Sequence, residues 1–293
     1  MRARHMPAAV AVAVLWGSSF VVIRLGLDHF PPLLLASLRF AFSALAALAL
    51  PRPPVPWGRM VAVAATLFVG EFGLLFTAMA NGMPPGLASI AIQSQAFFTL
   101  VLVAFLSRSQ PGWRQVLGTF VGLGGLAMIA GTVNGDATLP GLLLTLAAAL
   151  SWSAGNVLLK GAGKVDMLPM VAWLSVIPPL PLLALSLAIE GPSAVGTALV
   201  SLDPGGVAAV LWLAVPATLV AFGIWGWLLR LYPAGTVAPF SLLVPLFGLA
   251  SAAAVFGEHL GPARLAGMAL VVLGLVIVTF PAATFLARRA VSS

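Results

Sequence analysis

Residues 205–229 read GGVAAVLWLAVPATLVAFGIWGWLL, a stretch of 25 residues without a single charged side chain. A helix that crosses the hydrocarbon core of a bilayer needs about 20 consecutive, mostly apolar residues. This stretch meets that length, and it is bounded by Asp203 on one side and Arg230 on the other. It therefore predicts one transmembrane helix.

The rest of the chain has the same character. Of its 293 residues, 61% are hydrophobic and only 7% are charged, and the mean hydropathy is +1.12. A water-soluble domain would carry roughly 25% charged residues. Short polar or Pro- and Gly-containing breaks separate the apolar stretches, which predicts an all-α membrane protein. We place ten transmembrane helices at 8–26, 33–50, 59–79, 86–106, 114–131, 139–158, 167–189, 205–229, 236–256 and 263–280.

The net charge of +7 indicates membrane orientation rather than nucleic-acid binding, because the basic residues are spread along the chain. If the N-terminus is cytoplasmic, the cytoplasmic segments carry Arg2, Arg4, Arg52, Arg59, Arg108, Arg114, Lys160, Lys164, Arg230, Arg288 and Arg289. The opposite side carries only Arg24 and Arg264, together with five of the seven acidic residues. Lys and Arg in short loops stay in the cytoplasm. We therefore expect a multi-pass protein of the bacterial inner (plasma) membrane with both termini in the cytoplasm.

Two halves of the chain resemble each other. Trp16 precedes Arg24 by the interval that separates Trp152 from Lys160. Four glycines recur at one constant offset: Gly86, Gly112, Gly118 and Gly125 match Gly235, Gly261, Gly267 and Gly274. The pattern predicts two five-helix units, at 8–131 and 139–280. Because five is odd, the second unit enters the membrane upside down, and inverted repeats of this kind are typical of secondary transporters with a central binding site.

Two charged residues are expected deep inside the membrane. Arg39 lies about seven residues into the second span, and Glu71 lies about eight residues from the outer end of the third. At 1.5 Å per residue these positions are about 10 and 12 Å from the outer interface. The similar depths predict a pair. A structural salt bridge between the two helices and a role in substrate or proton handling both remain open.

Amide and indole groups in three other spans are candidates for the lining of a cavity. Gln93 and Gln95 point about 200° apart on an ideal α-helix, so we expect only one of them to face a shared cavity. Trp152 and Asn156 lie one turn apart on one face of the sixth span and are expected to line it. Trp16 holds the mirrored position in the first span, where an interfacial anchor is the alternative.

Prolines predict bends in two spans of the second half. Pro239 and Pro245 lie in the ninth span, and Pro216 lies in the eighth. Proline removes a backbone hydrogen bond and kinks a helix. Such a bend can serve as a hinge in a transporter, or it can be structural only.

Several kinds of chemistry are excluded by the sequence. The chain has no cysteine and no Walker A sequence. Its histidines, His5, His29 and His259, fall in termini or loops, so an intramembrane Ser–His pair cannot form. We therefore expect neither an enzyme, nor a cofactor, nor a metal site.

Residues 82–99, GMPPGLASIAIQSQAFFT, resemble the EamA family of the drug/metabolite transporter superfamily. Within it the chain is most similar to bacterial exporters of O-acetylserine, cysteine and aromatic or other amino acids. The resemblance implies ten helices in a five-plus-five inverted fold around a central cavity. Family pattern positions are occupied here by Arg39, Gln93, Gln95, Trp152, Asn156 and Ser241. Together with Trp16, these are the seven residues that we expect to bind substrate. Glu71 departs from the pattern, which tends to have a neutral amide there.

The resemblance and the polar residues together predict a secondary transporter. We expect it to export neutral and aromatic amino acids and related metabolites by alternating access. The alternatives are an exporter of drugs or other small metabolites on the same fold, and a membrane scaffold or receptor that transports nothing. The expected partners are amino-acid substrates and membrane lipid, with no nucleic acid, in a monomer or a homodimer.

Overall fold

The computed structural model describes residues 1–107, 112–131, 137–163, 165–258 and 261–279. Every regular element in these ranges is helical. The α-helices are α1 (Met6–Gly26), α2 (Pro32–Ala44), α3 (Trp57–Ala64), α4 (Glu71–Ala80), α5 (Pro85–Ala91), α6 (Gln95–Ser107), α7 (Trp113–Ala130), α8 (Leu139–Lys160), α9 (Met167–Leu174), α10 (Pro179–Ile189), α11 (Pro192–Val200), α12 (Pro204–Ala214), α13 (Ala221–Leu231), α14 (Ala234–Val237), α15 (Val244–Phe256) and α16 (Pro262–Thr279).

Seven helical stretches of the described chain are long and apolar enough to cross a membrane: Ala3–Gly26, Trp57–Ala80, Pro85–Leu106, Leu139–Lys160, Met167–Ile189, Pro204–Leu231 and Pro239–Phe256. Two shorter apolar helices, Pro32–Leu48 and Pro262–Val278, cover the predicted second and tenth spans. The predicted fifth span falls on the 18-residue helix α7. Large apolar side chains such as those of Phe105 and Leu180 are exposed on the outer surface, where lipid tails would cover them.

Helix starts follow from proline and from capping side chains. Proline has no amide hydrogen to leave unsatisfied at a first helical turn, and it begins α2, α5, α10, α11, α12 and α16. Thr138 caps α8 by accepting a hydrogen bond from the Gly141 amide, and Asp203 caps α12 by accepting one from the Gly206 amide. These prolines and capping side chains determine the residues at which the helices begin.

Two long helices in each half are interrupted by a different helical geometry. A π-helical segment, Ala65–Gly70, joins α3 to α4, and Val215–Val220 joins α12 to α13. A 3-10 segment, Ile92–Ser94, precedes α6, and Ala238–Leu243 precedes α15. In the second π segment the Thr218 hydroxyl donates to the carbonyl of Leu213, five residues earlier, at 2.7 Å. The same order of breaks therefore recurs in both halves.

The two halves pack through faces of small residues. α7 lies along α16, and a Cβ atom added to Gly118 or Gly125 would lie only 2.7 or 2.4 Å from a carbonyl oxygen of the opposite helix. α1 packs on α15, and a Cβ on Gly17 would lie 2.7 Å from the carbonyl of Val244. Small residues let helix backbones approach closely in membranes. α1 also contacts α12 and α13, whereas α8 contacts α3, α4 and α6, so each half inserts its first helix into the other.

Candidate functional site

A cavity of about 120 Å³ lies between the two halves. Its lining consists of Trp16, Ser19, Phe20, Ile23, Arg39, Glu71, Phe72, Leu75, Ile92, Gln93, Gln95, Trp152, Phe222, Ser241 and Val244. Six of the seven residues predicted to bind substrate are in this set, and so is Glu71. The exception is Asn156, which is half-buried one turn from Trp152 but does not line the cavity.

Many of the polar residues of this cavity lie in or directly after the π and 3-10 segments. Glu71 is the first residue of α4, directly after the π segment. Gln93 lies within the first 3-10 segment, Gln95 begins α6, and Ser241 lies within the second 3-10 segment. Irregular helical backbone within a membrane is found where it lines a cavity or is buried by protein. The breaks and the cavity therefore belong to one arrangement.

Arg39 is held in place by two neighbours. Its Nε atom donates to the Thr218 hydroxyl at 3.0 Å, and its guanidinium carbon lies 4.0 Å from the centre of the Phe72 ring. Only 3% of the residue is exposed. Its Nη1 atom is buried without a hydrogen-bond partner. The guanidinium is therefore fixed in orientation, but it does not use all of its hydrogen-bond donors within the protein.

Glu71 is the second buried charged residue of the cavity and is only 1% exposed. Its Oε2 atom is buried without a hydrogen-bond partner. Of the two roles left open for the pair, the structural salt bridge is not formed, since no nitrogen of Arg39 lies within 4.0 Å of an oxygen of Glu71. The guanidinium is instead engaged by Thr218 and Phe72. The two charges line the same cavity without touching.

Both Gln93 and Gln95 line the cavity, although the sequence predicted that only one would. The prediction assumed an ideal α-helix with 3.6 residues per turn. Residues Ile92–Ser94 form a 3-10 helix, which has about three residues per turn. Positions i and i+2 then point about 120° apart instead of about 160°, measured the shorter way round. The tighter turn brings both amides to the cavity.

Indole and phenyl rings form the apolar wall. The Trp16 ring lies 5.1 Å from the Phe222 ring, and its Nε1 atom donates to the carbonyl of Ala217 at 3.1 Å. That carbonyl lies in the π segment next to Pro216, where the regular helical hydrogen bonds are interrupted. The Trp152 ring lies 6.2 Å from the Phe72 ring. Trp16 therefore lies in the interior between the halves.

Sequence reasoning missed Thr218 and eight residues of the cavity lining, namely Ser19, Phe20, Ile23, Phe72, Leu75, Ile92, Phe222 and Val244. Phe72 and Phe222 were not distinguished from other apolar residues of their spans. Thr218, which orients Arg39, was also missed. The available signal was a lone hydroxyl two residues after Pro216 in an otherwise apolar stretch.

A second depression lies between α11 and the segment that joins α1 to α2, and it is not the candidate site. This groove has a volume of about 550 Å³ and is open to the surroundings. Its lining includes His29, whose Nδ1 atom lies 2.6 Å from Oδ2 of Asp203. It contains neither of the two buried charges of the central cavity. Among the described residues, no three His, Asp or Glu side chains are grouped so that they could hold a metal ion.

The EamA-like transporter family model matches residues 5–131 and 139–280. A "Probable amino-acid metabolite efflux pump" of Salmonella typhimurium is 42% identical over 279 residues, with 93% of each chain covered, and one of Escherichia coli K12 is 39% identical over the same share. The "Uncharacterized inner membrane transporter YedA" of E. coli K12 is 27% identical, over 97% of this chain and 94% of its own. A solved crystal structure has a TM-score of 0.65 at 21% identity, over 99% of both chains, and therefore shares the fold.

Proposed function

The chain belongs to the EamA-like transporter family, and from this premise we propose that it exports amino acids and related metabolites across the inner membrane by alternating access. The resemblance seen in residues 82–99 is confirmed. The family and the similar proteins are transporters, so this multi-pass membrane protein is a transporter and not an enzyme. The proteins of Salmonella typhimurium and Escherichia coli are named as probable amino-acid metabolite efflux pumps, which supports amino-acid metabolites as the substrate class.

The observation that carries the proposal is the convergence of polar and aromatic side chains from both halves on one internal cavity. Arg39, Gln93 and Gln95 come from the first half, whereas Trp152 and Ser241 come from the second. A site at the interface of two repeats becomes accessible from alternate sides when the halves move against each other. The side chains offer hydrogen bonds to a polar head group and aromatic surface to a side chain, which suits neutral and aromatic amino acids as well as O-acetylserine and cysteine.

The volume of the cavity favours a small metabolite over a drug. Sites for drug-sized ligands have volumes of about 300–1,000 Å³. The cavity found here has about 120 Å³. The cavity would have to open somewhat for the larger aromatic amino acids and considerably more for a drug, so we rank the export of drugs second.

Ten transmembrane helices in two inverted repeats form part of the same proposal. The π segments Ala65–Gly70 and Val215–Val220, and the 3-10 segments Ile92–Ser94 and Ala238–Leu243, recur in the same order. The contacts recur as well: α1 packs on α15, and α8 packs on α6. An exchange of contacts of this kind is expected from a two-fold relation between five-helix halves, and five helices in each half place the second half upside down.

The excretion of amino acids by intact bacteria tests the proposed function. Cells that overproduce the chain should accumulate neutral amino acids or O-acetylserine in the medium faster than cells that carry the empty vector. The amount of chain in the membrane fraction is measured in parallel. If the chain reaches the membrane and the amino acids of the medium do not change, the proposal fails.

A further inference from the structure

We propose that Arg39 and Glu71 bind the two charged groups of an α-amino acid, the guanidinium taking the carboxylate and the Glu71 carboxylate taking the ammonium. This inference rests on the proposed function and specifies its substrate class. The resemblance supplies the position of Arg39 but not the pair, because Glu71 departs from the family pattern. The two residues would act together as a site for a zwitterion.

The first support is that each residue has hydrogen-bonding capacity left unused in the protein. Nη1 of Arg39 and Oε2 of Glu71 are both buried without a partner. A buried charged group whose hydrogen-bonding capacity is left unused is costly in a protein interior. Native proteins rarely leave such groups unsatisfied, and an unsatisfied group in a cavity is a candidate for ligand contact. Here two such groups of opposite charge border one cavity.

The second support is that the two charges do not satisfy each other. Both residues line the cavity, yet no ion pair within 4.0 Å joins them. Arg39 is held away by its hydrogen bond to Thr218 at 3.0 Å and by the Phe72 ring, 4.0 Å from its guanidinium carbon. An α-amino acid carries its ammonium and its carboxylate on one carbon atom. It can therefore bridge two opposite charges that are near each other but not in contact.

The third support is the surroundings of the two charges. Trp16, Trp152 and Phe222 supply the aromatic part of the same lining. If the two charged groups fix the backbone of the amino acid, its side chain is left to the aromatic wall. Such a wall distinguishes side chains only by the apolar surface that they bury, because it has no polar group dedicated to any one side chain. The inference therefore predicts strict selection for the zwitterionic head group and tolerance towards the side chain.

The inference is tested by removing one charge at a time from the ligand. Labelled L-leucine binds to the purified protein in competition with 3-methylbutylamine, which lacks the carboxylate, and with 4-methylpentanoate, which lacks the ammonium. Each analogue leaves one buried charge of the protein unpaired. We expect both to bind at least about tenfold more weakly than leucine, which corresponds to about 1.4 kcal/mol. This comparison uses the unmodified protein, so it does not depend on the folding of any variant.

Variants then assign each charge to its partner. Glu71→Gln should weaken leucine binding at least about tenfold but leave 4-methylpentanoate unchanged or tighter. Arg39→Gln should weaken leucine binding to the same extent and leave 3-methylbutylamine unchanged or tighter. The matched controls are Glu190→Gln and Arg24→Gln. In the unmodified protein, Oε1 of Glu190 accepts a hydrogen bond from the Leu33 amide at 2.7 Å, and Arg24 forms an exposed ion pair with Asp28. Neither control should change the preference among the three ligands.

The outcomes separate this inference from the proposed function. If no neutral amino acid binds, the proposed function fails and the inference fails with it. If another neutral amino acid binds in place of leucine, that amino acid is compared with its own amine and its own deaminated acid. If the amino acid binds no better than its analogues, or if both variants weaken all three ligands equally, the inference is overturned while amino-acid export stands.

Discussion

At the scale of single residues, the centre of the molecule combines fixed charges with an aromatic wall. The Phe40 and Phe68 rings are stacked at 4.7 Å, and the Phe72 ring packs edge-on against Phe40 at 5.3 Å. Arg39 lies on this cluster, with its guanidinium carbon 5.4 Å from the Phe40 ring centre. A cation over aromatic faces gains about 2 kcal/mol or more when it is desolvated. The cluster therefore helps to keep a charge in a buried position.

Replacing Trp152 tests the role of the aromatic wall. Trp152→Ala removes the indole from the cavity lining. We expect the initial rate of transport at low substrate concentration to fall at least about tenfold, which corresponds to about 1.4 kcal/mol. Asn156→Ala is the matched control, because Asn156 lies one turn away on α8 and outside the lining. It should retain most of the parental rate. Initial rates of exchange in proteoliposomes with equal protein content decide the matter, and equal losses in both variants would contradict this account.

The candidate residues that could be predicted are those that lipid cannot satisfy. Arg39 and Glu71 are conspicuous in apolar spans because isolated charges there are costly. Phe72 could not be predicted, since a ring that faces lipid and a ring that faces a cavity have the same composition. Thr218 also gave little signal, because its hydroxyl finds a partner on its own helix, the carbonyl of Leu213. Whether such a side chain faces lipid or the cavity depends on how the helices pack, which the sequence alone does not give.

At the scale of elements, close helix packing and helix breaks shape the protein together. The predicted bends at Pro216 and Pro239 coincide with the breaks Val215–Val220 and Ala238–Leu243. The corresponding breaks of the first half, Ala65–Gly70 and Ile92–Ser94, contain no proline and were not predicted. Their geometry depends on tertiary contacts. Ser151, for example, donates from α8 to the carbonyl of Thr66 at 2.8 Å.

The packing of α7 on α16 is tested by two neighbouring glycines. A Cβ on Gly125 would lie 2.4 Å from the carbonyl of Gly267 and 2.7 Å from the amide nitrogen of Val271, and neither backbone atom can move freely. Gly125→Ala should therefore lower the stability by about 1–3 kcal/mol, the usual cost of overpacking. A Cβ on Gly124 meets nothing within 4 Å. Gly124→Ala is the control and should be neutral or stabilising by up to about 1 kcal/mol, because alanine favours helix.

Thermal unfolding in detergent measures both glycine variants. A lower melting temperature for Gly125→Ala alone is the expected result. A similar shift in both variants would show that the effect belongs to the helix backbone and not to the interface.

Asp203 gives a prediction with a defined pH dependence. The Gly206 amide, which donates to Oδ1 of Asp203 at 2.8 Å, lowers the pKa of this carboxyl below its ordinary value, and His29 lowers it further. A group with a lowered pKa stabilises the folded state above its unfolded pKa, about 3.9, and loses this effect as the pH falls through the folded value. Asp203→Asn should therefore lower the melting temperature at pH 7, and the difference should shrink as the pH falls from about 3.9 towards 3.

Asp28→Asn serves as the control for Asp203. Asp28 forms an exposed ion pair with Arg24 at 2.6 Å. Exposed pairs contribute little to stability. Its variant should shift the melting temperature less at pH 7. A shift for Asp203→Asn that is the same at both pH values would contradict the role of the carboxylate at the start of α12.

At the scale of the whole molecule, the charges of the loops predict the orientation. Both termini are proposed to lie in the cytoplasm, and the loop between α10 and α11 on the opposite side. A reporter enzyme that is active only outside the cytoplasm should stay inactive when it is fused after Ser293. The same reporter inserted after Gly191 should be active, which controls for its synthesis and folding. The reverse pattern would contradict the proposed orientation.

Exchange of amino acids across a membrane tests the central claim most directly, namely that the chain is an amino-acid carrier. Purified protein in proteoliposomes is loaded with one unlabelled neutral amino acid and diluted into a trace of the labelled form. A carrier should accumulate the label transiently inside, and other neutral amino acids, aromatic ones included, should compete with modest differences. If no labelled amino acid accumulates above protein-free vesicles, although the protein is folded, the account is contradicted.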